Sequence, residues 1–217
     1  PKRVIYAEGE DERVLRAAQV ALEEGLAVPI LIGRPSVIET RIQRFGLTLR
    51  PGVDFEVVNP EDDPRYRDYV QTYLDIAGRR GITPEAARSL VRTNNTVIAA
   101  LAVARGEADA MISGLEGRFM SRLRHIKDII GLAPDVCDIA AMTLIITNKG
   151  AFFLSDTHVK HDPTAEEIAD MTVLAADHVQ RFGIDPKIAL LSHSDFGAAD
   201  TPSSLKMRKA AKLIRER

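Results

Sequence analysis

The alternation of short apolar runs with longer amphipathic stretches is the feature of this sequence that most limits its fold. Val4–Ala7 and Val28–Ile32 are apolar runs of strand length, and the stretch between them repeats apolar residues at helical spacing. Strands that alternate with helices of about 10–15 residues predict a parallel sheet covered by helices on both faces. We therefore expect an α/β fold in three layers, α/β/α, with a mostly parallel sheet.

The pattern changes after residue 135, which predicts two lobes. Two β-rich segments, 139–147 and 151–159, flank Asn148-Lys149-Gly150, which is typical of a hairpin. Thr164 and Glu167 then have capping-box spacing, and Ile188–Ser192 has the composition of a strand. We predict a first α/β lobe over 1–135 and a second over 136–217, both parts of a longer polypeptide.

Charge and composition exclude several functions. The chain has 29 Lys and Arg against 31 Asp and Glu, a formal net charge of −2. A general nucleic-acid binder or an anionic-membrane binder usually carries a basic excess, so neither partner is expected. No apolar run reaches the ~18 residues of a membrane span, and the N-terminus has no signal-peptide core. With Cys137 as the single cysteine, these features predict a cytoplasmic protein.

One candidate binding site follows a predicted strand. Ser113-Gly114 closes the apolar run 108–113 just before an expected helix. Ligands of open α/β sheets bind beyond the carboxyl ends of strands, glycine permits close backbone approach, and a helix N-terminus favours anions. The turn is therefore a candidate for ligand binding, with an ordinary strand-to-helix turn as the alternative.

The helix after this turn is the most basic segment of the chain, with Arg118, Arg122, Arg124, His125 and Lys127. Helical spacing places Arg118 and Arg122 on one face and Arg124 and Lys127 on another. Guanidinium groups match phosphate oxygens in pairs of hydrogen bonds. The segment predicts either a phosphate contact or a solvated helix face.

A second candidate is the loop Ser192-His193-Ser194-Asp195-Phe196-Gly197. Its hydroxyl groups and backbone amides could donate hydrogen bonds to a ligand or across an interface. Catalysis by His193 is less favoured, because sequence neighbours rarely form a catalytic triad.

Two other motifs do not support a site. Gly9 lies among Glu8, Glu10 and Asp11, whose carboxylates would repel a pyrophosphate, and no dinucleotide or Walker fingerprint is present. Metal-ligand residue types also cluster near one strand end, but without recognised ligand spacing. We interpret that cluster as a hydrogen-bonded strand end and predict no metal site; its members are Asp156, His158, His161 and Asp162.

Longer motifs resemble a known family. The segments 8–18, 106–114 and 162–169 are similar to those of phosphate acetyltransferases (phosphotransacetylases). The segments 92–101, 190–197 and 202–208 resemble one branch, the phosphotransacetylase-like C-terminal domain of bacterial hybrid malic enzymes. The resemblance covers essentially the whole chain and implies a two-lobed α/β fold with a cleft between the lobes.

The resemblance also implies roles for particular residues. Arg124 matches a family arginine that binds phosphate or the acyl group, whereas Ala77 stands where acetyltransferases carry another active-site arginine. The family's catalytic Ser-Arg and Asp segment lies downstream of residue 217, so the resemblance implies no transferase activity here. It implies a regulatory and oligomerisation domain that senses acetyl-CoA, with contacts expected from Ser113, Gly114, Arg124, Ser192, His193 and Ser194.

The partners implied in this way are acetyl-CoA as effector, a second copy of the chain, and the malic enzyme catalytic region of the same polypeptide. NADP and a divalent metal are expected only in that catalytic region. Two alternatives stay open: a truncated phosphate acetyltransferase that uses acetyl phosphate and CoA, and a structural scaffold without a ligand.

Overall fold

The chain divides into two compact units, Pro1–Gly131 and Leu132–Arg217. The computed structural model describes residues 1–134 and 136–217. The lobe boundary expected at residue 135 therefore falls on the residue outside these ranges. Each unit has a hydrophobic core of its own.

The first unit is built on a four-stranded sheet. All its neighbouring strands are parallel, in the order β3-β2-β1-β4. The predicted parallel α/β fold is thus confirmed. The strands are β1 (Lys2–Tyr6), β2 (Ala27–Ile32), β3 (Glu56–Val58) and β4 (Ala110–Ile112).

Helices connect these strands. The helix expected after the Ser113–Gly114 turn is present as Phe119–Ile130, and Gly131 follows it. The helices are α1 (Glu12–Glu23), α2 (Pro35–Arg44), α3 (Tyr66–Ala77), α4 (Pro84–Thr93), α5 (Asn95–Ala104) and α6 (Phe119–Ile130), with a 3₁₀ turn at Gly78–Arg80.

Alternate residues of the central strands face two different cores. Ile5 and Ile30 pack in the cluster that contains buried residues of α3, α4 and α5. Tyr6 and Leu31, their sequence neighbours, pack with buried residues of α1 and α2. Successive strand side chains point to opposite faces of a sheet, so both faces of this one are covered. The first unit therefore has the three layers that the sequence predicts.

Local hydrogen bonds fix where several helices begin. Asp11, Thr83 and Asn94 are side-chain N-caps of α1, α4 and α5. By contrast, α2 begins at Pro35 after Arg34 without a side-chain cap, although Ser36 and Glu39 have the spacing of a capping box. Proline at the first helical position supplies a helical φ and lacks one of the N–H groups that would otherwise need an acceptor.

The second unit has an antiparallel hairpin and two longer helices. Its elements are β5 (Met142–Thr147), β6 (Gly150–Ser155), α7 (Ala165–Arg181), α8 (Pro202–Arg215) and a 3₁₀ turn at Asp195–Gly197. Both halves of the predicted Thr164–Glu167 capping box are present. The strand predicted over Ile188–Ser192 is wrong: the segment is irregular and mostly exposed, and no strand among the described residues pairs with it.

The core of the second unit is small. It consists of Ala165, Ile168 and Ala210, with Leu190, Met207 and Leu213 partly buried around them. Apolar side chains of the hairpin remain exposed to solvent, namely Leu144, Ile145, Ile146, Phe152 and Leu154. Within the described ranges, no helix is long and apolar enough to cross a membrane.

Candidate functional site

The strand order places a candidate site at one end of the first unit's sheet. From β1 the chain continues to β2 on one side, and it later adds β4 on the other side of β1. Such a reversal of strand order is a topological switch point, where α/β sheets bind ligands beyond the carboxyl ends of strands. Glu8 follows β1 there, and Ser113-Gly114 follows β4 directly.

The acidic residues that follow β1 do not point to one common site, because each has its own structural role. Gly9 has no room for a side chain, since a Cβ there would lie 2.7 Å from the Ile32 carbonyl oxygen. Glu10 pairs with Arg34 at 3.0 Å, and Asp11 accepts a hydrogen bond from the Arg13 amide at 2.8 Å. Only Glu8 turns towards the switch point.

Three donors converge on one oxygen of Glu8. Its Oε1 lies 3.0 Å from Arg122 Nη1, accepts from the Gly114 amide at 3.2 Å, and lies 3.4 Å from Ser113 Oγ. The Glu8 side chain is only 8% exposed. A carboxylate in this position is stabilised because its lost hydration is replaced by a cation and two hydrogen-bond donors.

Arg122 is fixed from several sides. Its Nη1 also donates to the hydroxyl of fully buried Thr96, and its Nε donates to the Glu116 carbonyl oxygen. Thr96 Oγ1 in turn lies 2.9 Å from Ser113 Oγ. The guanidinium group is therefore already engaged by groups of the protein itself.

A cavity of about 330 Å³ adjoins this network. Arg118, the N-cap residue of α6, lines it together with Arg122 and His125 of that helix, and the three have the i, i+4, i+7 spacing of one helix face. Ser113 and Gly114 are not lining residues and reach the cavity only through Glu8 and Arg122. The remaining lining residues are Glu8, Thr93, Asn94, Asn95, Glu116, Gly117 and Ser121.

Among the residues that line the cavity, His125 is the one whose surroundings shift a pKa that lies near neutral pH. Burial is the largest influence and lowers the pKa of His125. Asp128 acts in the opposite direction, whereas Arg124 and Arg122 lower the pKa further. The imidazole is thus held neutral to a lower pH than a free histidine, and its protonation would add positive charge to the cavity.

The arginines discussed from the sequence have different surroundings. Arg124 is exposed and does not line the cavity, and its side chain makes no hydrogen bond or ion pair within 1–134 and 136–217. Ala77 is 3% exposed, and the nearby Arg80 pairs with Asp128 at 2.9 Å. Of the basic segment that the sequence identifies, Arg118, Arg122 and His125 line the cavity, whereas Arg124, which the family resemblance favours, does not. The structure adds Glu8 and Thr96, for which the sequence predicts no place in the site.

The candidates of the second unit form a separate network. His193 lies 3.2 Å from Thr201 Oγ1 through Nε2 and 3.2 Å from Ser203 Oγ through Nδ1. Ser192 Oγ accepts from the Ser194 amide at 3.2 Å, and Ser194 Oγ accepts from the Ala199 amide at 2.9 Å. These bonds attach the loop to the start of α8 and leave His193 exposed.

The cluster weighed as a metal site is hydrogen-bonded instead. Asp156 accepts from the amides of Ala141, His158, Val159 and Lys160. Burial acts to raise the pKa of Asp156, but these four bonds together lower it. Among the residues that the structure describes, no group of His, Cys, Asp and Glu is arranged to hold a metal ion.

A parallel α/β sheet with a cavity at its switch point, lined here by two arginines and two glutamates, is typical of the class of proteins that bind small ligands beyond the carboxyl ends of strands. The family model for phosphate acetyl/butaryl transferase matches residues 1–217, so the chain belongs to this family.

Similar proteins agree with this assignment. An NAD-dependent malic enzyme of Rhizobium meliloti (strain 1021) is 62% identical over 99% of this chain, and an NADP-dependent malic enzyme of Escherichia coli (strain K12) is 51% identical over 100%. The chain spans 28% and 29% of those proteins. A phosphotransacetylase structure from Streptococcus pyogenes matches with a TM-score of 0.89 at 27% identity, over 99% of this chain and 64% of that one.

Proposed function

We propose that this chain is the phosphotransacetylase-like part of a malic enzyme, and that it binds acetyl-CoA to regulate malate oxidation elsewhere in the polypeptide. The malic enzymes among its relatives support the first part of this proposal. Those relatives use either NAD or NADP by name, so the NADP expected from the sequence stays a prediction for the catalytic region.

The observation that carries the ligand proposal is the row of Arg118, Arg122 and His125 along the cavity of the first unit. Acetyl-CoA has phosphate groups at one end and an uncharged thioester at the other. Arg118 is exposed at the cavity and lies outside the Glu8 network, so it is the cation best placed to contact phosphate. Arg124, Ser192, His193 and Ser194 remain proposed contacts on the family resemblance.

Regulation requires that the ligand bind one state of the parent enzyme more tightly than another. A coupling free energy of about 1–3 kcal/mol would change the affinity of the second site roughly 5- to 150-fold. The domain itself would transfer no acetyl groups, because Ala77 replaces a family arginine and the donors of the Ser113–Gly114 turn bond to Glu8. A preorganised oxyanion site needs such donors free to stabilise developing charge.

Isothermal titration of acetyl-CoA into the protein tests this proposal, with CoA and acetyl phosphate as further ligands. We expect saturable binding of acetyl-CoA, weakened about tenfold or more by Arg118→Ala, since a charge-assisted phosphate contact is lost. Arg124→Ala tests in the same way the phosphate contact that the family resemblance implies. Arg67→Ala is the control, because Arg67 lies on α3 and does not line the cavity.

Other outcomes would change the assignment. Turnover of acetyl phosphate with CoA would identify a phosphate acetyltransferase, which the family match also allows. Absence of binding by all three ligands would favour a structural scaffold. Acetyl-CoA binding without any effect on malate oxidation by the parent enzyme would retain the ligand and reject the regulatory role.

A further inference from the structure

The inner end of the cavity already contains an anion, which is supplied by the chain itself. Glu8 Oε1 receives the Gly114 amide, the Ser113 hydroxyl and Arg122 Nη1 at 3.2, 3.4 and 3.0 Å. This set of donors is the kind that binds a phosphate or carboxylate oxygen beyond the end of a strand. The carboxylate therefore occupies the position that an anionic ligand group would take.

Displacement of this carboxylate would be unfavourable. Glu8 is nearly buried, so without Arg122 and the turn donors it would be an unpaired charge in a poorly hydrated place. An anion that entered without displacing it would lie beside a like charge and find the donors engaged. Either route weakens binding of a charged group at the Ser113–Gly114 turn.

We propose that Glu8, which engages the donors of the Ser113–Gly114 turn, is a specificity-determining residue that excludes anionic groups from the inner end of the cavity and does not repel uncharged ones. The cavity then selects ligands with phosphate at the outer cation, Arg118, and a neutral group such as a thioester carbonyl at the inner end. This inference rests on the proposed function for the identity of the ligand, but the exclusion of anions at the turn does not.

The first experiment compares two thioesters that differ by one terminal carboxylate. We expect the wild-type protein to bind acetyl-CoA at least about tenfold more tightly than malonyl-CoA, because only the latter brings a negative charge towards Glu8. Equal affinities would overturn the proposal. Failure of both thioesters to bind would reject acetyl-CoA sensing, and the second experiment would then test the exclusion of anions alone.

The second experiment titrates inorganic phosphate into wild-type protein and Glu8→Gln. The amide keeps the size and an acceptor oxygen but removes the charge, so phosphate affinity should rise about tenfold or more as Arg122 and the turn become available. Glu116→Gln is the matched control: it also lines the cavity, but no side-chain bond links it to the turn. Its effect should be less than about threefold.

An equal gain in phosphate affinity in both variants would show a general charge effect and contradict a specific role of Glu8. No gain in folded Glu8→Gln would contradict it as well. Circular dichroism establishes whether Glu8→Gln is folded. If this variant does not fold, the comparison of acetyl-CoA with malonyl-CoA in wild-type protein tests the proposal.

Discussion

The two units of this chain bury their apolar residues to very different extents. In the first unit, both faces of a parallel sheet are covered by helices, and the central residues Ile5, Leu31 and Leu101 are fully buried. In the second unit, the β5–β6 hairpin carries apolar residues that stay exposed, and buried residues come from α7 and α8. A closed core allows a site with fixed geometry, whereas the second unit's exposed apolar surface is typical of an interaction region.

The largest expected difference concerns core truncation. Leu101→Ala in α5 removes a fully buried side chain and should lower the free energy of unfolding by about 2–5 kcal/mol. Ile146→Ala removes a side chain that is 79% exposed and should change it by less than about 0.5 kcal/mol. Urea denaturation of both variants measures this. A loss above 2 kcal/mol for Ile146→Ala would mean that the hairpin is covered in solution.

A smaller effect tests how tightly the sheet of the first unit is packed. In Gly9→Ala the new Cβ would meet backbone atoms of Ile32 at 2.7 and 2.8 Å, so we expect a loss of about 1–3 kcal/mol from overpacking. Gly78→Ala is the control, because no atom lies within 4 Å of its Cβ position and its φ is −57°. Equal melting temperatures of the two variants in thermal unfolding would contradict close packing at the end of β2.

Helix caps should have similar effects in both units, despite the different cores. Asp11 caps α1 in the first unit, and Thr164 caps α7 in the second. Alanine at either position should cost about 0.5–2 kcal/mol, since one amide of the first turn loses its acceptor. Asp11→Asn should retain most of the stability, because asparagine caps equally well. A negligible cost only for Thr164→Ala would show that α7 is already frayed.

The smallest effect expected is a pH dependence confined to the first unit. The folded state lowers the pKa of His125 below the ordinary histidine value of 6.5, so at mildly acidic pH the unfolded chain binds more protons there. His125 therefore contributes stability above pH 6.5 that is lost as pH falls through that value. Urea titrations at neutral and mildly acidic pH should show a shallower pH dependence for His125→Gln than for wild type. An unchanged dependence would contradict this assignment.

Much of the fold follows from local sequence signals, because periodicity and caps act within one element. The bounds of α6 and the Thr164–Glu167 capping box are of this kind. The segment Ile188–Ser192 shows the limit: strand composition produces a strand only where a neighbour supplies hydrogen bonds, and none does so among the described residues.

The site was harder to predict, because it joins distant residues. The sequence identified the Ser113–Gly114 turn and the basic helix, but it could not establish which helix face would meet a cavity. The sequence around Gly9 indicates only that the carboxylate of Glu8 would repel a pyrophosphate. It does not predict the hydrogen bond from the Gly114 amide to Glu8, because the two residues are 106 positions apart. Thr96 gave no signal at all, as a buried threonine in an apolar helix resembles any core residue.

That long separation between Glu8 and Gly114 links ligand binding to folding. The cavity network exists only after β4 has paired with β1, so a ligand of the cavity binds the complete first unit and not its partly assembled forms. At a free concentration 100 times the Kd, such a ligand would add about 2.7 kcal/mol to the stability of that unit. A ligand that bound the cavity in this way would thus also slow loss of the protein to heat and proteolysis, so its concentration would affect how much of the protein is present.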